Sequence, residues 1–212
     1  MKTLCNPFFI LFFSFLFCGL RISAQPTELT EVNKAADAGI SHFLDLIPVG
    51  EESHYGFKNR NEFTLVEFGT QYKVITLNKS FYTETFEKNK SYFQDANEWI
   101  IPIKVKDEYR ALLTISKMDG IWKAVNFGST GLANEFANFE LLHPQLDGYG
   151  TMLSVHNPLC DFMLYYSKRI SPDFIFFPLA SAQMALEMTE KTLDIYSLEK
   201  LYDLIIKHPS KY

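Results

Sequence analysis

The stretch from Trp99 to Phe127 constrains the fold more than any other part of this chain. Trp99, Ile101, Ile103 and Val105 alternate with Ile100, Pro102, Lys104 and Lys106, the period of two that gives each face of a strand its own side chains. Lys106-Asp107-Glu108 supplies a turn, and Tyr109 to Ser116 returns with Ala111, Leu113 and Ile115 on one face. Asp119-Gly120 is a strong turn dipeptide, after which Ile121 to Phe127 makes a third strand. Three strands joined by such short turns form an antiparallel meander with one wet face. Pro102 has no N–H for a ladder, so it predicts a sheet edge or a bulge.

The flanks follow from the same rules. Leu29, Val32, Ala36, Ile40, Phe43, Leu44 and Ile47 fall three and four apart, a helical stripe over 27–47 that Pro48 stops. Glu62–Phe68 and Gln71–Leu77 are β-rich and joined at Gly69-Thr70, which predicts a hairpin. Residues 78–97 read as a loop or short helix. Gly128-Ser129-Thr130 offers caps for a helix from Gly131 to Leu142, with Leu132, Phe136 and Phe139 inward. After a joint at Gly148-Tyr149-Gly150 come short apolar runs at 152–155, 162–166 and 174–178, then helices from Ser181 and Ser197. Phe174-Ile175-Phe176-Phe177 carries no charge and must be central or covered. Strands in consecutive antiparallel sets with separate helices define the α+β class. The joint divides the chain into residues 25–147, a helix-plus-meander lobe, and 148–212, a smaller strand-plus-helix lobe of similar build. A turn inside one domain is the other reading.

Composition matters first at the N-terminus. Lys2 is followed by Phe8 to Leu20, whose one polar residue is Ser14, and then by Arg21-Ile22-Ser23-Ala24 before Gln25. A charged start, a short apolar run and a small-residue exit are the parts of a secretory signal peptide, predicting cleavage after Ala24 and an extracytoplasmic location. As a helix the run spans about 20 Å, short of the roughly 30 Å hydrocarbon core, so it predicts no membrane span. Lipidation at Cys18 is the competing reading, but Phe17 before it is too bulky for the usual small residue. Loss of residues 1–24 removes Cys5, Cys18, Lys2 and Arg21 and no acid, so the net charge of -5 becomes two units more negative. Cys160 is then the one thiol, and no internal disulfide can form. An acidic chain without clustered Lys and Arg is not built for nucleic acid.

Chemistry-bearing patterns are few. Cys160 is the one candidate thiol nucleophile, with His156 and Asp161 close in sequence, but a cysteine hydrolase needs these groups to converge in space. The plain alternative is a buried small hydrophobe beside Leu159 and Phe162. The histidines at 42, 54, 143, 156 and 208 form no metal-binding spacing, so neither metal nor cofactor is expected. Asp107, Glu108, Asp119 and the Glu51-Glu52 doublet read as solvated turn charges. Trp99, Tyr109 and Trp122 could line a binding face, although aromatics at strand spacing are usually core.

The leading helix, the Asp-Gly turn and the stretches Trp99-Ile-Ile-Pro-Ile-Lys-Val and Ile121-Trp122-Lys-Ala-Val resemble small exported cystatin-like or PepSY-like modules of bacteria, over residues 28–142. The resemblance implies a propeptide, a peptidase inhibitor or an envelope scaffold. The Gln-x-Val-x-Gly loop of cystatins is absent, and no functional residue carries over. The expectation is an exported, non-catalytic binding or scaffolding module whose partner is another exported protein or a peptide. The alternatives are an inhibitor of a secreted peptidase and a hydrolase using Cys160 or an unrecognised carboxylate pair.

Overall fold

The computed structural model describes residues 26–144, 149–166, 174–188, 195 and 197–208. The predicted signal sequence, with Cys5 and Cys18, lies outside these residues. Eight strands form one sheet: β1 (Val66–Phe68), β2 (Gln71–Leu77), β3 (Phe93–Val105), β4 (Glu108–Met118), β5 (Ile121–Gly128), β6 (Tyr149–His156), β7 (Leu159–Tyr166) and β8 (Phe174–Pro178). The order is β5-β4-β3-β2-β6-β7-β8, with β1 beside the far end of β3. Only β2 and β6 run parallel; every other pair is antiparallel. Helices α1 (Pro26–Leu46), α2 (Lys79–Thr83), α3 (Thr130–Leu142), α4 (Ala180–Ala185) and α5 (Leu198–Lys207) pack around it. This is an α+β fold. Strands from both sides of the joint belong to the same sheet, since β6 opens at Tyr149 and pairs with β2 from Gln71 onward.

The predicted meander forms, and its turn chemistry is visible. Asp119 and Gly120 have φ of 51° and 80°, the double positive φ that closes a two-residue hairpin with the right twist. On one face α1 lays Val32, Ala36, Ile40 and Leu44 against β4 and β5, over Trp99, Ile101, Leu113, Ile115 and Trp122. Val32, Ile40 and Leu44 each contribute roughly 1.5–3 kcal/mol when fully buried. The approach is close at Gly39, where a Cβ would come within 2.2 Å of the Ala124 Cβ. On the opposite face α3 lays Ala133, Phe136 and Phe139 over Tyr72, Val74, Ile100 and Leu112, and on to Met152, Met163 and Phe177. A third cluster, on the α1 face, holds Ile75, Leu153, Cys160, Phe162 and Phe176 under Phe81 of α2 and Leu201 and Ile205 of α5.

Several expectations are corrected. Residues 62–68 and 71–77 make no hairpin, because β1 and β2 both pair with β3 and not with each other. Arg60–Leu65 is a tight helical turn, started by the Asn59 side chain accepting from the Asn61 N–H at 3.0 Å. Pro102 lies in a central strand and not at an edge, while a bulge, the other expectation, follows it directly, where the β3–β4 register shifts between Ile103 and Lys104. The β2 ladder ends at Ile100 and the β1 ladder starts at Ile103. The Pro102 carbonyl accepts from the Gly69 N–H on that side, so the missing proline N–H faces the gap and costs no ladder bond. Residues 78–97 split between the short α2 and the first part of β3. Ser129 stands before α3 in a left-handed conformation, φ 60°, and its side chain makes no capping bond. Ser197 does cap α5, accepting from the Lys200 N–H at 3.1 Å. The apolar β8 is covered, with Ile175, Phe176 and Phe177 buried and Ile195 bridging to Phe176.

Candidate functional site

The thiol and its sequence neighbours diverge. Val155 pairs with Cys160 and His156 with Leu159, and successive strand residues point to opposite faces. Cys160 therefore lies on the α1 face, and His156 and Asp161 on the other. Cys160 is 0 % exposed, and burial, aided by the Asp161 charge, pushes its thiol up to about 12. Asp161 is engaged with Ser181: its N–H donates to the Ser181 Oγ at 3.0 Å, and that hydroxyl donates to its Oδ2 at 3.2 Å. The thiol is thus enclosed and protonated, and the two groups next to it in sequence point away from it.

The three aromatics do not share a face either. Trp99 and Trp122 are buried under α1, whereas Tyr109 lies on the α3 side. The Trp99 Nε1 donates to Glu28 Oε1 at 3.1 Å. The Tyr109 hydroxyl donates to Glu140 of α3, and so does that of Tyr72, at 2.6 Å. Burial, then the Glu140 carboxylate, holds both phenols far above their ordinary value. These groups fasten α3 to the sheet.

Two ionic clusters escaped the sequence reading. Lys73, on central β2, bonds Glu28 of α1 at 3.0 Å and Asp95 of β3 at 2.7 Å, 5.8 Å from the Trp99 ring centroid. Burial works against its charge, but Asp95 and Glu28 together hold its pKa above the ordinary lysine value. Arg110 of β4 grips Glu62 through Nε and Nη2, at 3.0 and 2.9 Å, and reaches Glu108 at 2.7 Å. The Arg110 bond, outweighing burial, depresses Glu62. Lys58 and then Arg110 bring Glu108 down to about 2. Nothing in local spacing pairs residues so far apart. The chain also repeats Asn-Lys-Ser-aromatic-aromatic at 78–82 and 89–93, a pattern that involves neither cluster. The repeat sets Phe81 and Tyr92, both fully buried, edge to face at 5.6 Å, while Asn78 Nδ2 donates to the Ser91 carbonyl at 3.1 Å.

Among the described residues, one sector of the sheet is left at least partly open. Glu98, Ser116 and Lys123 form a row across β3, β4 and β5 on the α3 face, outside the cluster that α3 buries. Met118 and Ile121 stand opposite each other beside that row, 49 % and 61 % exposed. Lys123 and Asn126 are exposed too, with Val125 at the bulge between them. The same strand is packed by α1 on its other face, and β5 ends the sheet. Lys117 stands 5.4 Å over the Trp122 ring. Trp122 is buried, and its Nε1 has no hydrogen-bond acceptor among the described residues. Among the described residues this sector combines exposed apolar groups, a lysine in no ion pair and a strand edge with no ladder partner.

Among the described residues no three His, Cys, Asp or Glu side chains are grouped to hold a metal ion, and no helix is long and apolar enough to cross a membrane. The chain matches no family model, no curated protein and no solved structure.

Proposed function

We propose that this chain is an exported, non-catalytic binding module of a bacterial envelope or secretome, and that the bare β3–β5 sector is its recognition surface. The observation that carries the reading is Ile121 and Met118, paired and exposed on a strand whose reverse face is buried under α1. A soluble domain gains nothing for folding from an aliphatic pair in water, whereas apolar groups rimmed by Ser116, Lys123 and Asn126 suit a protein or peptide contact. Export rests on the N-terminal sequence, and the partner is accordingly another exported protein or a peptide. The divergence of Cys160 from His156 and Asp161 favours this reading over a hydrolase built on that thiol. The test is affinity capture from envelope and secreted fractions with the wild-type chain and with Ile121→Lys. The reading predicts partners retained by the first and lost by the second at equal folding. Equal capture by both would overturn it.

A further inference from the structure

Resting on that reading, we propose that the open edge of β5 is a strand-pairing site for an acidic, extended segment of the partner. β5 is the last strand of the sheet, so every second N–H and C=O along it points away from β4 with no ladder partner among the described residues. A strand laid there satisfies those groups and continues the sheet, with main-chain bonds giving affinity and alternate side chains giving specificity. The register breaks at a bulge beside Ala124, which confines regular pairing to Ile121–Ala124. Within it, Ile121 and Lys123 point to the bare face. The incoming strand therefore presents an aliphatic side chain beside Ile121 and a carboxylate beside Lys123.

Charge selects the occupant. Lys123 is the cation that β5 presents on the bare face, and it takes part in no ion pair among the described residues. A second copy of the chain would bring lysines to both sides of the shared edge, the device by which edge strands avoid self-pairing. A segment with Asp or Glu at the central position turns Lys123 into an attraction.

The probe is a capped peptide in which threonine alternates with valine, glutamate and valine, titrated into the isotope-labelled chain and followed by backbone amide and Trp122 indole resonances. The expected result is saturable shifts centred on residues 121–124. Lys123→Glu should weaken binding roughly fivefold, the effect of replacing a cross-strand attraction by a repulsion. The same peptide with lysine for glutamate should prefer the Lys123→Glu chain. N-methylation of alternate peptide amides should abolish the shifts. Absence of shifts at β5, indifference to Lys123→Glu, or survival of binding after N-methylation would each overturn strand pairing. Such failure alongside Ile121-dependent capture leaves the recognition surface standing and removes only the strand-pairing inference; capture indifferent to Ile121→Lys removes both.

Discussion

At the β6–β8 flank, helices α2 and α5 close over Cys160, Phe162 and Phe176 on one face, while Phe139 of α3 meets Phe177 on the other, ring centroids 5.4 Å apart. At the β4–β5 flank, α1 closes one face and the other carries Ile121, Lys123 and Asn126 to solvent. The closed flank contains the residue that invites a catalytic reading, and it is the flank where chemistry is least accessible. The open flank contains no motif at all. Reactivity and recognition follow from what covers a strand, and that depends on where distant helices land.

The largest way to separate the flanks is core truncation. Phe162→Ala should cost about 3–5 kcal/mol, since it removes a fully buried ring and leaves a cavity. Denaturant unfolding checks it, and Ile121→Ala on the open flank should stay within about 0.5 kcal/mol. Parity of the two losses would erase the contrast.

Next in size is the charge clamp at the base of β4. Glu62→Gln should destabilise the fold by roughly 2 kcal/mol, because Arg110 loses its twofold partner but keeps Glu108. The Glu62 carboxyl has a lowered pKa in the folded state, so its contribution is present above about pH 4.5 and fades as pH falls through the folded value. Stability of the variant should accordingly depend less on pH below that point. Lys73 has the opposite sign: its raised pKa stabilises below about pH 10.5 and the contribution is lost at higher pH.

Smaller again is Cys160→Ala, expected to cost about 1 kcal/mol as a small hydrophobe truncated in a packed core. In the chain lacking residues 1–24, an aromatic disulfide reagent at pH 8 should leave the native thiol unlabelled and react fully in denaturant. Fast labelling of the native chain would place a reactive thiol where none is expected.

Much of this arrangement was legible in the sequence, and the boundary has physical causes. The helical stripe of α1, the β3–β5 meander with its Asp119-Gly120 turn, and the Ser197 cap are local patterns read within a few residues. The Glu62–Phe68 segment was misread because Glu62 is drawn to Arg110, a partner 48 residues away. Pro102 suggested an edge because a strand flanked on one side by two successive partners, β2 and then β1, leaves no trace in local spacing. The open sector is hidden for the same reason: Ile121 alternates like any strand residue, and only the placement of the helices leaves it exposed.

The central claim is that contact with partners occurs at the open flank. Leu159, at the β6–β7 turn, is 73 % exposed and gives a matched apolar control on the closed flank. A photo-crosslinking amino acid placed at position 121 or at position 159 in the producing cell compares them directly. The account predicts covalent adducts from position 121 and none above background from position 159. Adducts from position 159 with none from position 121 would contradict it.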